Sequence, residues 1–298
     1  MNSMREFPGF YGKLPILGDF VSRRLPADFA RPWDAWLQEA ILKSRERLGS
    51  GWLEVYLTSP IWRFVLSRGN CGGDSWAGIL MPSVDKVGRY FPLTLAAPVS
   101  RSDMLSRLFS SGAEWFDRLE GLALCALEDE LDVEELDRKL QKHPLEPFLP
   151  GNDAPGNAEG IEPGGPFAFQ VEMAALDRDR MGDAFVNLSG GLLTAFLPVY
   201  SLWCTNGSEW VKPSLLAYEG LPPADAYTGF LTGRSKPGQW GERAAGGSIV
   251  PFAASHLDPV SHSSFDAASG SGSKSGSAFG SKFGNDLRPE SQPDVASK

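Results

Sequence analysis

The sequence predicts a mixed α/β domain built around a mainly buried sheet. Three observations carry this. Strand-like runs alternate with segments of helical periodicity. Two of those runs are nearly continuous in apolar residues, as strands covered on both faces are. The chain of 298 residues is 42% hydrophobic with nine Trp and eighteen Phe, enough to fill a sizeable core.

Taken in order, Phe29, Trp33, Trp36, Leu37, Ala40 and Ile41 recur at helical spacing and predict an amphipathic helix over Asp28–Leu48, with Asp28 as its cap and Pro32 tolerable only near the first turn. Strands are predicted at Leu53–Leu57, Trp62–Leu66, Trp76–Met81 and Tyr90–Ala97. Ser100-Arg101-Ser102-Asp103 has the form of a capping box and opens a second helix to about Leu127, with a shorter third through Glu134–Lys142. Further strands are predicted at Phe167–Met173, Ala184–Leu188, Leu192–Leu202 and Trp210–Tyr218, with Gly190-Gly191 as a hairpin turn.

Two regions read differently. Pro144–Pro166 alternates Pro and Gly with few apolar residues and predicts a long surface loop. From Ser255 onward, twelve Ser and five Gly stand among forty-four residues, too little apolar surface to offset the entropy of ordering, so the expected division is an α/β domain over 1–250 and a disordered tail over 251–298. Residues 1–13 show no leader pattern, and no run of about 18 apolar residues suggests a membrane span. Three scattered Cys argue for a reducing, cytoplasmic setting, and a formal net charge of −9 makes nucleic acid and anionic membranes poor partners.

Chemistry-bearing patterns are sparse. Of three His, His256 and His262 fall in the expected tail and His143 precedes a Pro at a helix end, which leaves no rigid general base. Cys71-Gly72-Gly73-Asp74-Ser75 resembles a nucleophile loop but has no base near it in sequence; a small buried Cys at a Gly turn accounts for it better. Gly9-Phe10-Tyr11-Gly12-Lys13 lacks the spacing of a phosphate loop, since Leu14-Pro15 follows where Ser or Thr and a helix belong. No ligand spacing for a metal is present, and the expectation is a non-enzyme without cofactor. The acidic run Glu114–Asp137, with Glu128, Glu130, Glu134 and Glu135 at its centre, reads either as a solvated helix face or as a docking surface for a basic partner.

One ordered set of motifs goes further. Gly12-Lys13-Leu14-Pro15-Ile16-Leu17-Gly18-Asp19-Phe20-Val21 is followed by Trp33-Asp34-Ala35-Trp36-Leu37, Ser59-Pro60-Ile61-Trp62-Arg63-Phe64 and Met81-Pro82-Ser83-Val84-Asp85-Lys86-Val87-Gly88-Arg89-Tyr90-Phe91-Pro92-Leu93. In this order the set closely resembles the TagF (ImpM) family associated with bacterial type VI secretion. The match is good over Phe7–Pro98, loose to about Thr232 and absent from the tail.

The resemblance implies a three-layer α/β/α sandwich around a mixed sheet. It also implies a cytoplasmic protein without enzymatic activity, which represses the secretion apparatus post-translationally by binding a forkhead-associated scaffold protein. A structural or assembly component of the apparatus is the alternative. Within the motifs, Gly12 and Gly18 suit turn conformations and Pro15 a bend. Asp19 is placed to cap or to pair with Arg23, Arg24 or Arg89. Asp85 and Arg89, four apart across a Val-Gly turn, are placed to bridge strand ends, as a structural clip or as part of a site. Lys13, Asp19, Asp85 and Arg89 are therefore the first candidate partner-binding set. Trp33, Trp36 and Trp62 read as core, with an interface role as the other option.

Overall fold

The computed structural model describes residues 7–128, 131–149 and 178–233. The chain divides into two units, Met1–Ser248 and Ile249–Lys298, and every described residue belongs to the first. The Ser/Gly-rich tail, the strand expected at 167–173 and most of the loop expected over 144–166 lie outside the described residues.

The elements are β1 (Gly9–Gly12), β2 (Val21–Arg23), α1 (Ala27–Leu48), α2 (Trp52–Leu57), β3 (Trp62–Leu66), β4 (Ser75–Met81), β5 (Leu93–Val99), α3 (Leu108–Ser111), α4 (Ala113–Leu127), α5 (Val133–Leu140), α6 (Arg178–Phe196), β6 (Tyr200–Thr205), β7 (Ser214–Glu219) and α7 (Tyr227–Thr232). The seven strands form one sheet in the order β2-β1-β5-β4-β3-β6-β7. Every pairing in it is antiparallel, which corrects the expected mixed sheet. The connections give the reason. β3 to β4, β4 to β5 and β6 to β7 are joined by loops too short for the crossover that parallel neighbours require.

The strands β3, β4 and β5 are buried along almost their whole length. Their side chains alternate between two clusters. Val65, Ala77, Ile79, Leu95 and Ala97 pack with Trp115, Phe116, Leu119 and Ala123 of α4 and with Leu136 and Leu140 of α5. Trp62, Phe64, Leu66, Trp76 and Leu80 pack with Phe29, Trp33, Trp36, Leu37, Ala40 and Ile41 of α1, Trp52 and Tyr56 of α2, and Phe230 of α7. An antiparallel sheet commonly leaves one face to water. Here both faces are covered, which is why these strands read as continuous rather than alternating.

Helix α1 follows its predicted stripe, but its N-cap is Pro26 and Asp28 sits in the first turn without capping. Pro32 is tolerated inside the helix because Phe29, Trp33 and Trp36 are buried on either side of it, Trp33 donating a 2.9 Å hydrogen bond from its indole to Thr94 Oγ1. Several expected elements differ. Residues 53–57 are helical, not a strand. The second predicted helix is broken into a 3₁₀ segment Ser102–Arg107, α3 and α4, with Gly112 between the last two. Ser100 does not cap it but donates its hydroxyl to Glu146 Oε2 at 2.9 Å. Residues 184–188 and 192–196 belong to α6, so Gly190-Gly191 is no hairpin turn. A Cβ on Gly190 would stand 2.3 Å from Ser106 Oγ, so the glycine there serves a close approach between elements. Among the described residues, no helix is long and apolar enough to cross a membrane.

Candidate functional site

The motif residues assemble where β1 leaves the sheet. Gly12, at φ +137, closes that strand against the backbone of Pro92, where a Cβ would meet the carbonyl oxygen at 2.1 Å. The next residue, Lys13, points inward and is only 4% exposed. Its ammonium donates to Asp85 Oδ2 at 2.6 Å, and Asp85 is 3% exposed. Asp85 Oδ2 also accepts from Arg89 Nε at 2.7 Å, while its Oδ1 accepts the Val87 and Arg89 backbone N–H groups at 3.0 and 2.8 Å. The expected bridge across the Val-Gly turn is thus formed. Gly88 supplies the positive φ at that turn.

Further bonds join the two motif loops. Ser83 donates its hydroxyl to Lys13 O at 2.7 Å, the Lys86 N–H donates to Leu17 O at 2.8 Å, and the Arg89 guanidinium donates to Gly18 O. Tyr56 fastens the unit to α2. Its hydroxyl donates to Ser83 O and accepts from Ser83 N–H, both at 3.0 Å. Burial alone would push the Asp85 carboxyl up. Against it, the bonds from Lys13, the Arg89 N–H and guanidinium and the Val87 N–H hold that carboxyl well below the usual carboxylate range. A carboxylate held ionised and saturated by four donors suits a fastener rather than a proton carrier.

Of the first candidate set, Lys13, Asp85 and Arg89 come together, and Asp19 does not join them. Asp19 is exposed and accepts only its neighbour's Phe20 N–H at 2.8 Å, without the pairing to Arg23, Arg24 or Arg89 that its position suggested. Lys13 and Asp85 are interior, so only Arg89 and Asp19 present surface to a partner.

Much of the acidic run around the alternative set is paired within the protein, while Glu128 and Glu134 of that set stay exposed. Arg63, buried on β3, holds Asp117 and Glu120 at 2.6 Å each. Arg24 binds Asp137, Arg23 lies 3.5 Å from Glu134, Lys139 lies 3.8 Å from Glu135, and Arg118 lies 2.5 Å from Glu114. Asp132 caps α5 by accepting the Glu135 N–H at 2.7 Å. Glu128 is exposed, and Glu130 lies outside the described residues.

The remaining candidates behave as interior groups. Cys71 is buried beneath α1, and burial pushes its thiol up to about 12, away from thiolate reactivity. Burial, with Arg118 and Lys142 near it, lowers the pKa of His143. Among the described residues no group of His, Cys, Asp and Glu is arranged to hold a metal ion. Trp33, Trp36 and Trp62 are core.

Two contacts escaped the sequence reading. Tyr11 donates its hydroxyl to Asp34 Oδ1 at 2.5 Å, joining β1 to the Trp-Asp-Ala-Trp helix. Arg24, the one described non-glycine residue with positive φ, donates to Pro8 O at 2.6 Å as well as to Asp137. The signal for the first was Asp34, a polar residue flanked by buried Trp at helical spacing.

Three comparisons bear on this arrangement. Residues 9–143 match the family model described as the TagF N-terminal domain, type VI secretion system-associated, a span that contains both candidate surfaces. The chain is similar to the crystal structure of PA0076 from Pseudomonas aeruginosa PAO1, with 36% identity and a TM-score of 0.62 over 82% of this chain and 100% of that one. No curated protein matches it.

Proposed function

The chain belongs to the TagF family of type VI secretion-associated proteins, and we propose on that premise that it is a cytoplasmic, non-catalytic regulator that represses the secretion apparatus by binding its forkhead-associated scaffold protein. The observation that carries this reading is the motif-loop unit itself. The motif residues Lys13 and Asp85 make a buried pair whose bonds run back into the protein, so they hold a surface in place. Rigid loops on a rigid sheet are the kind of surface on which binding sites are built. We further read the helices packed on the two faces of the sheet as the outer layers of an α/β/α sandwich, with both motif loops at one end of it.

The test is a titration of the purified chain into the purified scaffold protein by calorimetry, paired with a secretion assay in cells that over-express the chain. Saturable binding together with loss of secreted substrate is the expected result. Repression of secretion without binding to the scaffold would overturn the sequestration mechanism. A fixed stoichiometric presence of the chain in purified secretion assemblies would replace it with a structural role.

A further inference from the structure

The paired motif loops display side chains that their internal bonding does not require. Ile16 and Phe20 on the first loop and Val87 at the tip of the second are exposed, Phe20 by 45% and Val87 by 67%. The two loops are joined by the Lys86-to-Leu17 backbone bond and by the Arg89 bond to Gly18. Phe20 is held firmly despite its exposure. Its ring stacks on Tyr11 at 6.0 Å with 18° between the planes, meets Phe91 edge-on at 4.8 Å, and has the Lys13 ammonium 4.9 Å from its centroid. An aromatic side chain ordered before contact loses little entropy on binding, which is the property of an interface anchor.

Charge narrows the partner. Lys86 is exposed, and its ammonium has no partner among the described residues. The Arg89 side chain is 56% exposed. Counting Lys13, Lys86 and Arg89 against Asp19 and Asp85, the cluster carries one net positive charge on a chain whose formal net charge is −9. A cationic, aromatic spot on an acidic molecule attracts a segment that is both acidic and apolar, whereas two copies of this chain repel one another.

We propose that Ile16, Phe20 and Val87, rimmed by Lys86 and Arg89, form the docking surface for an acidic segment of a partner protein that lays an apolar anchor against the two joined loops. The assignment rests on the reading that this chain works by binding the secretion scaffold.

The test uses the full chain, the purified scaffold protein and overlapping synthetic peptides that tile it, with binding read by fluorescence anisotropy. The variants are Val87→Asp and Lys86→Glu. Both positions are exposed, so far-ultraviolet circular dichroism and the melting temperature should match the parent. The expected result is that Val87→Asp raises Kd about tenfold or more, mainly through faster dissociation, and that Lys86→Glu raises it mainly through slower association. Peptides that bind the parent should carry Asp or Glu beside a large apolar residue and should lose binding to both variants. If the scaffold binds the parent and both variants alike, this surface is wrong while the scaffold reading stands. If the scaffold does not bind the parent at all, that reading fails and this assignment with it. Captured peptides that are basic would overturn the charge class. Sedimentation showing a parent dimer that Val87→Asp dissociates would assign the surface to a second copy instead.

Discussion

Asp85 shows how a single residue joins two distant motifs. It accepts four hydrogen bonds, from Lys13, Val87 and twice from Arg89, and lies almost wholly out of water. Removing one partner of such a pair leaves an ion whose solvation has been lost. Lys13→Ala is therefore expected to cost about 3 kcal/mol of folding stability, measured by urea denaturation. The pH dependence follows from the direction of the shift. The Asp85 carboxyl sits below its unfolded value, which is about 3.9, so the unfolded chain takes up this proton first as pH falls. Its stabilising contribution is complete above about pH 4 and is lost as pH falls toward the lower folded value. Urea midpoints measured from about pH 6 down to about pH 2 should fall more steeply for the parent than for Asp85→Asn, which has no proton to take up. Equal slopes would show that the native carboxyl is not held down. The sequence marked Asp85 and Arg89 as a pair through their spacing. It grouped Lys13 with them only as a partner-binding candidate and did not foresee its buried bond to Asp85, because no local rule relates residues 72 positions apart.

At the scale of elements, the sheet tolerates little change at its centre. Gly78 in β4 sits where a Cβ would meet Leu95 O at 2.2 Å, Phe64 Cζ at 2.8 Å and Ala96 Cα at 2.9 Å. Two of those atoms are backbone of the neighbouring strand, so they cannot rotate away. Gly78→Ala is expected to destabilise the protein by about 2 kcal/mol, whereas Gly121→Ala on α4, where nothing stands within 4 Å, should stabilise it by up to about 1 kcal/mol. Chemical denaturation of the two variants checks the contrast. Elements with a strong local period, such as α1, β3 and β4, were legible with boundaries close to those observed. Those without one were not. Residues 53–57 carry an apolar pattern that suits a strand, but Trp52 and Tyr56 are four apart and bury together only if the segment is helical. In α6 a Gly pair that signals a turn was overridden by the close approach to Ser106.

For the whole molecule, the distribution of charge decides which surface is free. The acidic helices α4 and α5 are fastened inward, with Arg63 tying α4 to β3 and Arg24 tying α5 to the segment beside β2. Their remaining pairs are largely exposed, and exposed pairs contribute little to stability. A Glu134→Lys, Glu135→Lys double variant is therefore expected to fold with a stability loss under about 1 kcal/mol. If the motif loops are the docking surface, it should also repress secretion like the parent and bind the scaffold within about twofold of it. A large loss of binding by that variant, with folding intact, would move the site to the acidic face.

What the sequence by itself determined is what local order carries: the α/β class, the helical stripe of α1, the buried central strands, and the motif series that identified the family. Periodicity and short motifs record the demands each segment places on its own neighbourhood. Only the tertiary structure decided the antiparallel order of the sheet, the burial of Lys13 and Asp85, the pairing of Asp117, Glu120 and Asp137 with Arg63 and Arg24, and the exposure of Phe20 and Val87 on two loops that bond to each other. Each depends on which distant segments meet. Meeting is set by how two apolar faces of one sheet are covered at once, a property of the packed chain that no window of the sequence contains.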